Sequence, residues 1–265
     1  MVGAAGSMAA MPSVARFNVT SVKSTMLRHP DQIELTPTGV EGDHDFLFLE
    51  ADGRRISTGR KAPFLGIRAT HDSDDDRLTL ELPDGTRVEG PVTAVGSPLE
   101  VEMFDRAIKV RAVDGPFASA ISRYIGREIV LARAEPPHRA RPTRPVSIVS
   151  LASVAELGRR GGRGDVPDPR RFRMLIEVDG CPAHEEDSWS GGLIRIGEAL
   201  VRVGDGIPRC LVTTLHPETG EHDYPTLDVL ATYRKRDGEL QFGVYGDVEC
   251  PGRIGVGDDV GPLDE

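Results

Sequence analysis

The sequence predicts a mostly β protein of the α+β class with a few helices. Three observations carry this. Glycine (30) and proline (20) are abundant among 265 residues and fall between short apolar runs. Several of those runs alternate apolar and polar residues with the period of a half-buried strand. Long helical patterns do not alternate with the strands, which disfavours a parallel βαβ architecture.

Taken in order, residues 45–50 (DFLFLE) meet RRIST through the turn Ala51-Asp52-Gly53. RLTLE at 77–81 turns back through Pro83-Asp84-Gly85 into TRVE, the clearest hairpin. LEVEM at 99–103 and IKVRA at 108–112 form another antiparallel pair, and LIEV (175–178), LIRI (193–196), ALVRV (199–203) and FGVY (242–245) follow. Helices are predicted at three places. Phe117, Ile121, Tyr124 and Ile125 recur at helical spacing between Pro116 and Gly126. Ser153 and Glu156 have capping-box spacing, with Ser150 as a rival cap and Gly158 as the stop. Residues 226–236 place Leu227, Leu230 and Ala231 on one face, with basic residues in the last turns.

Residues 1–11 read as a disordered leader, without the charged front and long apolar core of a signal peptide. Four prolines in 135–145 cannot continue a helix or central strand, so a domain boundary is expected there, dividing 12–135 from 136–265. No run of about 18 apolar residues could span a membrane. Three cysteines make no disulfide framework, which points to a reducing cytoplasm. The 42 acids against 32 bases give a net charge of −10, which disfavours nucleic acid as a partner. Residues 133–173 run against that balance, with ten arginines, no lysine and four acids. Arginine without lysine suits two-point recognition of phosphate or carboxylate, and equally a solvated basic surface.

Phosphate-loop, HExxH, CxxC and GxSxG motifs are absent. Cys210 stands out, because the neighbouring Arg209 favours the thiolate, the form that attacks electrophiles or binds a soft metal. The competing reading is an inert cysteine beside a β-run. Cys181 and Cys250 sit at turns and are read as non-catalytic, His184 as a surface residue and Trp189 as a core anchor. Lys23 and Ser24, side by side, could hold a phosphate.

RFRMLIEVDG (171–180), EEDSWSGGLIRIGEALVRV (185–203), PRCLVTTLHPETGE (208–221), LATYR (230–234) and GRIGVGDDV (252–260) in this order resemble the MOSC family, named for the molybdenum cofactor sulfurase C-terminal domain. SVKS (21–24) and GVEGDHDFLFLEADGRRISTGR (39–60) resemble its β-rich N-terminal companion, and the layout is nearest to the amidoxime-reducing components. The resemblance implies a β-barrel core binding a molybdenum–molybdopterin cofactor. It implies that Cys210 ligates the metal, that Lys23 and Ser24 hold the cofactor phosphate, and that Arg173 contacts the same anion. It further implies a phosphate-side contact from Ser150 or Ser153, where a helix N-terminus would help, and a pocket-lining Tyr245. Cys181 inherits no role.

The chain departs from the family at several points. His44 stands where GDR has its arginine, Met174 and Leu175 replace a Pro-Asn pair, Pro208 replaces a small polar residue, and STGR (57–60) replaces a TAR-type stretch. A protonated His44 could partly substitute for arginine. No cysteine set could hold an iron–sulfur cluster, so electrons would come from separate proteins. The expectation is a molybdenum-dependent reductase of N-hydroxylated small molecules such as amidoximes and hydroxylamines. Two alternatives stand beside it: a sulfur carrier using a Cys210 persulfide, and a binding module that has lost the metal.

Overall fold

The computed structural model describes residues 11–56, 62–103 and 106–263. The expected leader, apart from Met11, and the STGR stretch lie outside them. The described residues form mostly strands, with four α-helices and three 3-10 turns.

The largest sheet runs in the order Ser13–Phe17, Ile176–Asp179, Val146–Ser150, Glu239–Cys250, Ala199–Pro208, Leu193–Ile196, Val260–Pro262, with Lys235–Arg236 paired separately to Glu239–Cys250. Its two outer strands meet. Val14 N–H donates to the Asp258 carbonyl (2.9 Å), Gly257 N–H to Val14 (2.8 Å) and Val260 N–H to Pro12 (2.7 Å), with a bridge between Ser13 and Asp259. The sheet therefore closes into a barrel. Alternation along these strands sends Ile148, Ile176, Val178, Ile194, Ile196, Val201, Val203 and Val244 inward, all at most 1% exposed, and Trp189 joins that core. Each such aliphatic side chain contributes on the order of 1.5–3 kcal/mol by leaving water.

A second body of strands comes from the first half. Phe46–Glu50, Ile129–Glu135, Arg106–Asp114 and Thr93–Met103 form one sheet in that order, and Arg68–Asp72, Arg77–Glu81 and Arg87–Pro91 form a meander. The hairpins at 77–90 and 99–112 pair as expected, with Leu80 opposite Val88 and Val101 opposite Ile108. Helix Phe117–Ile125 drops Phe117 and Ile121 onto Phe46, Leu78, Leu80 and Leu131. Strand Gln32–Thr36 pairs with Gly39–Val40 and with Gly252–Gly255, so chain from both halves interleaves.

Several local expectations are corrected. Among the described strands one pair is parallel, Val146–Ser150 with Ile176–Asp179, joined by helix Leu151–Gly161; a crossover long enough for a helix permits it. Ser150 is the cap, its hydroxyl accepting from Ala152 N–H (3.1 Å), and Ser153 lies inside the helix. Gly158 does not stop this helix. A Cβ there would sit 2.7 Å from the Asp165 carbonyl, so glycine permits a close backbone approach, and Gly162 at φ +66° ends the helix. The helix expected over 226–236 ends at Ala231. It buries Thr226, Val229 and Leu230 and leaves Ala231 exposed. Beyond it Arg234 turns inward to a two-point ion pair with Asp187 (2.7 and 3.0 Å). The proline-rich 135–145 segment is anchored. Arg106 donates to the carbonyls of Arg139, Arg141, Pro142 and Thr143 at 2.9–3.2 Å, and His138 N–H donates to Asp45 (2.9 Å). Among the described residues, no helix is long and apolar enough to cross a membrane.

Candidate functional site

Between the two bodies of strands lies a cavity of about 230 Å³, lined by residues from both halves of the chain. From the first half come Lys23, Ser24, His44 and the exposed Arg55; from the second come Ser147, Arg171, Arg173, Arg209, Cys210, Thr213 and Tyr245. Leu47, Phe48, Phe64, Phe172, Met174 and Ile207 supply apolar walls.

Local hydrogen bonding fixes the first-half groups. Lys23 N–H donates to the Phe46 carbonyl (2.7 Å), and the Thr20 and Thr25 hydroxyls both donate to the Val22 carbonyl (3.0 and 2.7 Å). This turn puts Ser24 at φ +69°. Asp43 accepts from Thr20 N–H with one oxygen (2.7 Å) and lies 2.7 Å from His44 Nδ1 with the other. Burial lowers the His44 pKa, with the Asp43 carboxylate opposing.

Arg173 follows a short 3-10 turn, Pro169–Phe172, and takes a left-handed backbone (φ +52°). Its Nη2 donates to the Thr25 carbonyl (2.8 Å), while Nη1 is buried with no hydrogen-bond partner among the described residues. Burial lowers its pKa to about 10, with Asp43 opposing. Lys23 falls further, to about 7, through burial first and then the like charges of Arg173 and Arg55. Burial also lowers Arg209, opposed by Cys210 and Tyr245; its Nη2 donates to the Phe172 carbonyl (2.6 Å) and its Nε is buried without a partner. Cys210 lies just past strand Ala199–Pro208, extended at φ −121°, as an exposed free thiol.

No Asp or Glu lines this cavity among the described residues. Crowded, desolvated cations with orphaned guanidinium nitrogens and no carboxylate make a receptor for an anion. The described residues also contain no group of three or more His, Cys, Asp or Glu able to hold a metal ion. A metal at Cys210 would need its remaining donors from a cofactor, and thiolate suits a soft metal. The residues present thus fit an anionic, metal-carrying cofactor.

The structure brings together Lys23, Ser24, His44, Arg173, Arg209, Cys210 and Tyr245 of the residues named from sequence. It does not bring Ser150 and Ser153, both fully buried elsewhere. The Ser153 hydroxyl donates to the Glu186 carboxylate (2.8 and 2.9 Å), and the Ser150 N–H donates to that carboxylate (3.3 Å). Besides Ser24, the serine facing the cavity is Ser147, paired in register with Tyr245. Strand alternation already distinguished it from Ser150, since the two lie an odd number of residues apart. Sequence reading also missed Arg55, Arg171 and Thr213. His184 is corrected too. Its ring packs against Tyr233 (5.7 Å) and Phe242 (5.9 Å), both nitrogens are buried without partners, and burial lowers its pKa to about 4.

The family model described as the MOSC domain matches residues 135–261. The chain is 28% identical over 244 residues to a molybdenum cofactor sulfurase from Oryza sativa subsp. japonica, covering 79% of this chain and 29% of that protein. It is 41% identical over 98 residues to mitochondrial amidoxime reducing component 2 from Homo sapiens, covering 34% of this chain and 29% of that protein. The chain thus spans about 29% of the length of these curated relatives. Among solved structures, the YUAD protein from Bacillus subtilis aligns over 95% of this chain and 94% of its own at 17% identity, with a TM-score of 0.45. Residues 135–261, which supply most of the barrel strands and the wall of the cavity that bears Cys210, are similar to the MOSC domain.

Proposed function

We propose that the cavity holds a molybdenum–molybdopterin cofactor and that the protein reduces N-hydroxylated small molecules, amidoximes and hydroxylamines among them, with electrons from separate donor proteins. One observation carries the reading: a free, exposed thiol at a cavity walled by desolvated cations and no carboxylate among the described residues. The bound group would supply two-electron oxygen-atom chemistry. The chain's own part is to hold and orient it. Cys210 offers the metal a sulfur donor on the cavity wall. Arg173, with one nitrogen unclaimed, Lys23 and Ser24 take the anionic end, and His44 adds a ring nitrogen. Tyr245 and the phenylalanines give the cavity an apolar wall beside these charges. Residues 12–135 would form the companion domain and 136–265 the MOSC domain of one cytoplasmic protein.

The test is molybdenum content and pterin fluorescence of protein made in a host that synthesises the cofactor. Near-stoichiometric molybdenum, lost in Cys210→Ser, followed by amidoxime turnover with an added electron donor, is expected. A folded wild-type protein with neither metal nor pterin would overturn it. The exposure of Cys210 also suits a second reading, a persulfide carrier. That reading gains if Cys210→Ser keeps its molybdenum but loses labile sulfur.

A further inference from the structure

Two short turns carry the thiol and its nearest cations. Pro169–Phe172 leads into Arg173, and Leu211–Thr214 follows Cys210. Each segment sends one arginine to the backbone of the other. Arg209 reaches across to the Phe172 carbonyl (2.6 Å). Arg171 reaches back, donating Nη1 to the Thr213 carbonyl (3.2 Å) and closing a two-point ion pair with Asp223 at 3.0 Å in both arms. The Arg171 side chain is 2% exposed, so this pair is shielded from solvent on the arginine side. Thr213 then returns its N–H and its hydroxyl to the Cys210 carbonyl (3.1 and 2.9 Å). From helix Thr226–Ala231, the Thr226 hydroxyl donates to the same Thr213 carbonyl (2.6 Å). The unbroken path is Asp223, Arg171, Thr213, Cys210.

We infer that Arg171 and Asp223 are positioning residues for the Cys210 thiol, the crossed arginines fixing the separation between that sulfur and Arg173 at the anion end of the cavity. This rests on the reading of Cys210 as the ligand that meets a cofactor. A rigid ligand held at both ends needs that separation set before it arrives; otherwise binding bears the cost of ordering the turn. Arginine suits position 171 because its planar fork meets both Asp223 oxygens with separate nitrogens while still reaching the Thr213 carbonyl, a two-point geometry that a single ammonium does not offer. Arg209 ties the same two segments from the other side through the Phe172 carbonyl.

The test uses full-length, cofactor-free protein and iodoacetamide, with peptide mass spectrometry reading Cys210 and the exposed Cys250 separately. In Asp223→Asn and Arg171→Lys, Cys210 alkylation at pH 7 should follow a time profile about threefold faster than wild type, as the turn that carries the thiol loosens. Cys250 should react as in wild type. Thr226→Val, which removes one tie to the same carbonyl and leaves the Arg171–Asp223 pair in place, should act in the same direction by less. Cys210 profiles that superimpose on wild type in folded variants, even with a lowered thermal midpoint, would reduce the brace to a stability element and overturn the inference. If circular dichroism shows the first two variants unfolded, Thr226→Val decides alone. The assay needs no metal, so its outcome is independent of whether wild-type protein holds molybdenum.

Discussion

Lys23 makes the cavity's affinity for anions depend on pH in a way that no other described group lining it reproduces. Its ammonium titrates near 7, because burial and the adjacent Arg173 and Arg55 charges favour the neutral amine. Arg173 stays cationic to about 10, and burial moves the His44 pKa downward. If the ammonium form binds the anion, apparent affinity follows the protonated fraction, about nine-tenths at pH 6 and about one-tenth at pH 8. The dissociation constant should therefore rise roughly tenfold across that interval, about 1.4 kcal/mol. Sulfate is the right probe, since it keeps its double charge throughout. Titration calorimetry of cofactor-free protein in two buffers of different ionisation enthalpy would also show about half a proton taken up per anion at pH 7. Lys23→Arg should bind sulfate with a nearly flat pH dependence. A flat wild-type profile, or an unchanged slope in Lys23→Arg, would refute the assignment of that proton to Lys23.

Stability should respond to the same lysine with a definite sign. The unfolded lysine keeps its proton up to about 10.5 while the folded one releases it near 7, so rising pH favours the fold between them. Urea titrations of cofactor-free protein from pH 7.5 to 9 should show a gain near 1.4 kcal/mol per pH unit, absent in Lys23→Met. His184 acts on the acid side: its folded pKa is about 4 against 6.5 unfolded, so stability should fall as pH drops through that window. His184→Asn, which tolerates the left-handed backbone at φ +67°, should flatten the slope there, whatever it costs at pH 7. His44→Arg should tighten sulfate about five- to tenfold by adding a charged fork to the cavity wall; unchanged affinity would show that Asp43 absorbs the new charge.

Much of the architecture is legible in local pattern. The alternation of Leu78 and Leu80, the Pro-Asp-Gly turn after them and the spacing around Phe117 and Ile121 each state a face and a stop within a few residues. Cys210 and Lys23 are legible because their neighbours make unusual chemistry. What fails is decided by distant chain. His184 looks polar and exposed in an acidic stretch, yet Phe242 and Tyr233, about 50 residues on, cover its ring. Ser150 and Ser153 precede a helix, as a phosphate site would have them, but Glu186 claims both. Gly158 resembles a helix stop because its reason, the Asp165 backbone, lies outside the helix. Arg171 is one of ten arginines in a basic stretch, and only Asp223, 52 residues later, distinguishes it.

The meeting of the first and last sheet strands bears on how the protein is made. Ser13–Phe17 pairs with Ile176–Asp179 on one side and is bonded to residues 257–260 on the other. A ribosome releases those partners long after the first strand has emerged. Until they do, the opening segment has edges but no neighbours, and the cavity lacks the wall that bears its thiol. A cavity with all its walls cannot form until almost all of this sequence is out. For the same reason, scission near residue 135 yields two fragments, neither of which contains a complete binding site.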